Sequence, residues 1–344
     1  MATPIWRDEI LTLGGFANYA YSDFSILYNG NEIYAGRVYA RPNGYAELKI
    51  NDICANFIRN AFPTTFPNTG GEAQNYIYEF TVDIIEYRED GSEYGAESVQ
   101  VQFFYDWSYD YTKDYTATPI LSAPIVRSIP RNAPLIYTAT SGTTYIELVD
   151  NGANSRAFNS AFAVGSVSTL AAQSVANNIF NLADIATAND KSVKVYGGDG
   201  VAPITYNLID ECRCRYMLYY LNAYGGWDFM PIEGKDKQTD SYTRNTFGQT
   251  YNNDLSRNRG LRNYRNDIAR KWELHTLWID DAGAQNIHHL LGSIDVYLYD
   301  LKEGVLHPVT IENTSCEYKT YSNNGNQLVS YDIEVSLAKT LTRR

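Results

Sequence analysis

Cys212 and Cys214 form a C-x-C, and on a strand that spacing points both thiols to one face, where they offer two ligands to a soft metal. A structural zinc site takes four ligands, usually as two spaced pairs. Cys54 and Cys316 stand singly, and the adjacent His288 and His289 diverge on a helix. The cysteines therefore read as buried strand residues, and no metal or cofactor is expected. With His275 and His307 these are the only histidines, and none lies in a nucleophile motif; G-x-S-x-G, H-E-x-x-H, S-x-x-K and the P-loop are all missing. "GGDGVAP" (Gly197 to Pro203) lacks the Lys and Ser/Thr that hold phosphate and magnesium, and reads as a turn. A pair of carboxylates for glycoside hydrolysis can be picked from Glu273, Asp280 and Asp281, but two chosen from forty acidic residues carry no weight. The expectation is a protein that is not an enzyme.

The densest chemistry is basic. "SRNRGLRNYRNDIARKW" gathers Arg257, Arg259, Arg262, Arg265, Arg270 and Lys271 against Asp267, with Tyr264 among them. Arginine beside an aromatic ring suits a nucleic-acid contact, and it equally suits an interface with acidic protein surface. A net charge of −12 repels phosphate backbones at long range and supplies acidic surface on any second copy, so a protein partner is the preferred reading. The segment upstream, "KDKQTDSYTRNTFGQTYNNDLS", is poor in apolar anchors and reads as a long loop or arm that orders on contact.

The elements that must carry these residues are mostly strands. Thirty tyrosines and thirteen phenylalanines in 344 residues favour strands and interfaces, and the length allows two or three domains with real cores. "MATPIWRDEILTLGG" does not read as a signal peptide and no apolar run is long enough to span a membrane, so cytoplasmic production, free thiols and no membrane contact are expected. Asn29-Gly30 and Asn43-Gly44 punctuate a three-stranded meander from Phe24, after which Asn51 or Asp52 caps a short helix carrying Ile53, Phe57 and Ile58. Alternation on both sides of Asp90-Gly91 predicts a long hairpin. Pro119, Pro124, Pro130 and Pro134 mark a boundary near residue 125.

Short strands over 126–199 suggest a small immunoglobulin-like sandwich, with strands preferred over a helix for "VSTLAAQSVANNIFNLADI". From residue 200 a β domain resumes, interrupted by the helix "GAQNIHHLL" with Ile287 and Leu290 or Leu291 on one side. The predicted fold is mainly β and multidomain: an N-terminal β domain (1–125), a sandwich (126–199) and a C-terminal β domain (200–344) with a polar basic arm at 235–271. Within it "RYMLYYLNAYGGWDFMPIEG" reads as a structural corner, where Gly225 and Gly226 permit a turn that a side chain would block and Trp227 anchors the return strand.

Leu221-Asn222 before Gly225-Gly226-Trp227-Asp228, "LLGSIDVYLYD", "HPVTIENTSCEYKT" and the closing strand with its basic tail resemble structural proteins of tailed bacteriophages of Bacteroidetes, including crAss-like phages. The resemblance covers residues 200 to 344 best. It implies a virion component of the tail or neck, of hub, ring or baseplate type, assembled as a symmetric homo-oligomer against other tail or neck proteins. No catalytic residue comes with it. A head-fibre or receptor/glycan-binding virion protein is the rival within the class; a carbohydrate-active enzyme and a nucleic-acid binder through 257–271 are rivals outside it.

Overall fold

A computed structural model describes residues 3–6, 9–63, 74–108, 127–139, 145–150, 152, 154–159, 176–196, 203–210, 214–248, 261–276, 279, 281–313, 315 and 330–343. The protein is mainly β, with three short helices among the described residues. The first sheet runs β1 (Thr3–Pro4), β8 (Glu93–Phe104), β7 (Ile77–Arg88), β3 (Tyr19–Tyr28) and β4 (Asn31–Tyr39). Its two tight hairpins are written in the sequence. Asn29 and Gly30 both take positive φ (50° and 76°), as a two-residue hairpin loop requires, and Gly91 does so between β7 and β8. Alternation then buries Phe24 and Ile26 of β3 with Phe80, Val82 and Ile84 of β7.

The expected meander is a hairpin followed by a departure. β5 (Tyr45–Lys49) pairs with β2 (Ile10–Gly14) in a separate two-stranded sheet, not with β4. Ala46 and Leu48 are buried by that turn away from β4, and the tight loop at Gly44 (φ +77°) allows it. Helix α1 (Asn51–Ala55) follows, but its cap position is Ile50 and no side chain caps it. Asn51 is turned inward instead, accepting from the Glu9 N–H (2.7 Å) and donating to the Ile5 carbonyl (2.9 Å). Of the three residues expected on the apolar face, Ile58 is buried, Ile53 half-buried and Phe57 exposed; the buried face is centred on Cys54.

Two sheets form the middle of the chain. One is β10 (Pro134–Ala139), β13 (Ala176–Asn181) and β6 (Gln74–Asn75), so a strand from the first region completes it. The other is β12 (Ser155–Asn159), β11 (Tyr145–Asp150), β14 (Asp190–Tyr196), β15 (Ile204–Ile209) and β9 (Arg127–Pro130), reaching past residue 199 to Ile209. Residues 176–181 are strand as preferred, and helix α2 is confined to Leu182–Ile185; residues 167–175 of that stretch lie outside the described residues.

The last sheet has eight strands: β17 (Trp227–Ile232), β16 (Tyr216–Leu221), β20 (Val296–Asp300), β21 (Val305–Ile311), β22 (Asp332–Leu337), β19 (Leu261–His275) and β18 (Asp236–Gly248), with β23 (Leu341–Arg343) also on β19. Every residue of β16 is buried, because its two faces enter two different cores. Met217, Tyr219 and Leu221, with Trp227 and Phe229, join the large core shared with the first two regions. Tyr216, Leu218 and Tyr220 lie over helix α3 (Asp281–Leu291), whose Ile287 and Leu290 are fully buried as the helical spacing predicts.

Tyr219 ties these layers together, donating its buried hydroxyl to the Pro134 carbonyl of β10 at 2.6 Å. Removing that hydroxyl leaves a buried acceptor short of a donor. Tyr219→Phe is expected to lower unfolding free energy by about 1–2 kcal/mol, read from the urea midpoint at unchanged m-value.

Candidate functional site

The loop 222–226 between β16 and β17 is buried at Asn222, Gly225 and Gly226 and half-buried at Ala223 and Tyr224, so its buried backbone groups must find partners inside the protein. Asn222 supplies most of them. Its side-chain carbonyl accepts from the N–H groups of Tyr224 and Gly226, both at 3.0 Å, and its amide donates to the buried Asp228 carboxylate at 2.8 Å. The backbone closes the turn, with Asn222 N–H on the Gly226 carbonyl (2.9 Å) and Gly225 N–H on the Asn222 carbonyl (3.1 Å). From outside, the Asn60 amide donates to the Gly225 carbonyl (2.6 Å) and the Trp107 N–H to the Ala223 carbonyl (2.6 Å). The Trp227 N–H donates to the Thr138 hydroxyl of β10 at 3.0 Å. The corner thus joins the first, middle and last regions.

Gly225 is required twice over: its φ is +84°, and a Cβ there would lie 1.8 Å from the Tyr105 carbonyl oxygen. Trp227 is fully buried, with the Phe62 ring edge-on at 4.7 Å. The turn expected at Gly225-Gly226 is present, and of the two glycines Gly225 is the one with positive φ.

Beside the corner opens a cleft of about 520 Å³, lined among others by Tyr105, Trp107, Tyr224, His288, His289 and Asn313. The His289 and Tyr224 rings are 5.5 Å apart. Burial pushes the Tyr105 phenol up to about 12, helped by the charges of Asp295 and Asp106, so it is neutral at ordinary pH. Aromatic walls with amide, hydroxyl and imidazole groups can hold a neutral polar ligand. This cleft is not legible in the sequence, since its walls come from the end of β8, the corner, the end of α3 and the stretch after β21; the His288-His289 pair is its one local trace.

The basic segment takes a form other than a loop. Residues 236–248 and 261–275 are the paired strands β18 and β19, one long ribbon at the sheet edge. β22 covers β19 from Lys271 to His275 and β23 covers Asn266 to Ile268; beyond Asn266 the described ribbon has two strands only. Tyr242 lies opposite the buried Ile268, and the Phe247 and Tyr264 rings approach to 6.2 Å. Tyr242, Phe247, Leu261 and Tyr264 are all exposed.

Several of the basic residues already hold carboxylates of the same chain. Arg270 makes two hydrogen bonds to Asp240 (2.8 and 3.0 Å), Arg265 contacts Asp267 (2.8 Å), and Lys271 reaches Glu312 (3.3 Å). Arg262 is placed on β19 opposite Phe247 by its backbone, while Arg257 and Arg259 lie outside the described residues. Arg244, not singled out in the sequence, is exposed on β18 with no ion-pair partner among the described residues. Its signal was its place in a polar alternation that reads equally as loop.

The other chemical candidates are dispersed. Cys214 precedes β16 instead of lying on a strand, its thiol donates to the Tyr216 carbonyl (2.9 Å), and burial raises it to about 12; Cys212 and Cys316 are outside the described residues. Glu273 pairs with Lys237 at 2.9 Å, and Asp280 is not described. His275 contacts Asp332, and His307 packs on Trp272, with burial lowering its pKa. Among the described residues no group of three His, Cys, Asp or Glu side chains is placed to hold a metal ion, and no helix is long and apolar enough to cross a membrane. No protein-family model and no curated protein matches the chain.

Gly225→Ala is expected to lose about 3 kcal/mol or more of stability, since both the left-handed backbone and the Tyr105 carbonyl oppose a methyl group; equilibrium urea unfolding measures it. A second expectation concerns acid. The Arg270 hydrogen bonds hold the Asp240 carboxyl below its usual range, and the Arg265 hydrogen bond does the same for Asp267. A depressed folded-state pKa stabilises above the unfolded value and is lost as pH falls through the folded one. Amide protection of β18 and β19 should therefore stay level from neutrality to about pH 5 and fall below about pH 4, with the Asp240→Asn chain showing a smaller step.

Proposed function

We propose that the chain is a non-enzymatic structural subunit of a bacteriophage virion, of tail hub, ring, neck or baseplate type, which assembles as a symmetric homo-oligomer and contacts other tail or neck proteins. The observation that carries this reading is the ribbon β18–β19. A two-stranded ribbon without a core of its own is marginal in water, and this one displays aromatic residues where it leaves the sheet. Both features are what an assembly arm needs. The resemblance of residues 200–344 to phage structural proteins supplies the biological setting. A subunit in a closed ring presents two different complementary surfaces, and an acidic chain with one basic ribbon has such a pair.

The aromatic cleft beside the corner supports a second reading, a glycan-binding virion protein; binding on a glycan array that Trp107→Ala abolishes would favour it.

Quantitative mass spectrometry of density-purified particles tests the first reading. Recovery of several to a dozen copies per particle is expected, roughly the range of closed cyclic oligomers, and absence from particles would discard a virion role. Replacing Arg259, Arg262 and Arg265 together with Ala is expected to weaken assembly while leaving the unfolding midpoint of the monomer within about 0.5 kcal/mol of wild type; unchanged assembly would remove the ribbon from the account.

A further inference from the structure

We infer that the ribbon's partner is the acidic β7–β8 hairpin of a second copy, with the open edge of β18 set beside the open edge of β8. This rests on the homo-oligomer reading and adds the surface that receives the ribbon.

The donor side is defined by described residues. Beyond Asp267 the ribbon strands (244–248 and 261–266) carry Arg244, Arg262 and Arg265 and no carboxylate, Arg265 being already paired with Asp267. Among them stand Phe247, Leu261 and Tyr264, exposed at 43%, 67% and 56%. β18 is the last strand of its sheet, so one edge of thirteen residues has no strand beside it among the described residues.

The receiving side has the opposite charge and the same kind of edge. Residues 86–97 at the end of β7–β8 carry Glu86, Glu89, Asp90, Glu93 and Glu97 against Arg88. Glu86 is used internally, accepting from the Gly14 N–H at 2.8 Å, and Asp90 is used in its own turn by Ser92. Glu89, Glu93 and Glu97 are exposed and are the carboxylates left to meet a cation. Among the described residues β8 is paired on its second edge at Phe103 and Phe104 alone, by β1, and no described strand lies beside Glu93 to Gln102 there. Tyr94 and Ile85 add exposed apolar surface there, at 50% and 36%.

Edge-to-edge pairing completes backbone hydrogen bonds on both strands, while side-chain charge selects the partner. Ribbon to hairpin is a heterologous contact, because each copy gives one surface and receives on another, and such contacts build a ring where the rotation between copies closes and a filament where it does not.

Charge exchange in the full chain tests the inference. One variant reverses the hairpin (Glu89→Lys, Glu93→Lys, Glu97→Lys) and another reverses the ribbon (Arg244→Glu, Arg262→Glu), with circular dichroism confirming that each folds. Native mass spectrometry at low salt should show oligomers for wild type and monomers for each variant alone, a loss of roughly a hundredfold or more in association. An equal mixture of the two variants should regain assembly, since each reversed surface then meets its complement. Wild-type assembly should weaken toward about 0.5 M salt, where screening acts within a few Å.

A variant that assembles alone like wild type, or a mixture that stays monomeric while wild type assembles, overturns the ribbon-to-hairpin contact and leaves self-assembly standing. A wild-type chain that is monomeric at low salt overturns both.

Discussion

A turn buried between sheets must satisfy its own peptide groups, and the rest of this structure is arranged around one such turn. Where 222–226 is buried, one asparagine side chain fills three roles at once, bonding two N–H groups and the Asp228 carboxylate. What remains is met by residues far away in sequence: Asn60, Trp107 and Thr138. Each of those bonds fixes a different part of the chain, Asn60 and Trp107 against the turn itself and Thr138 against Trp227 just after it. The absence of a side chain at Gly225 is as necessary as the bonds, because the Tyr105 carbonyl occupies the space.

The two-faced strand β16 follows from that junction. A sheet that packs on one side only alternates apolar and polar residues; β16 has neighbours on both sides and carries tyrosine, leucine and methionine throughout. Tyr219 brings large apolar area together with a hydroxyl that reaches an acceptor, the Pro134 carbonyl. At the other end of the same sheet the strands β18 and β19 run on past β22 and β23, with no further strand beside them among the described residues. Stability is thus concentrated at one side of the sheet, and unfilled bonding capacity at the other.

Local rules were legible and long-range ones were not. Asn29-Gly30 and Asp90-Gly91 announced their hairpins because turn geometry depends on the turn residues alone. Ile287 and Leu290 announced α3 by spacing. The pairing of β5 with β2 was hidden, since strand choice depends on where Ala46 and Leu48 find a core. Asn51 looked like a helix cap and is instead a buried bridge to Ile5 and Glu9. The ribbon was misread as a loop because strands stabilised by cross-strand ion pairs, such as Arg270 with Asp240, do not need the apolar alternation that identifies a half-buried strand. The corner was found because Gly-Gly-Trp-Asp after a tyrosine strand is a local pattern; the cleft beside it was not, being assembled from four separate stretches.

Those same ion pairs bear on how a basic ribbon behaves in an acidic chain. Free arginines on an open edge would attract any carboxylate surface in many orientations. Pairing Arg265, Arg270 and Lys271 with acids of their own sheet leaves the root of the ribbon near neutral, while Arg244 further out has no ion-pair partner among the described residues. Elsewhere the surface is acidic, so two copies repel in most relative orientations and attract where ribbon meets acid. Edge strands left open are otherwise a route to indiscriminate pairing. On the proposed assembly reading, the uneven charge is what turns an aggregation-prone edge into a selective one: it does not hold the fold together, and it decides which edge the ribbon meets.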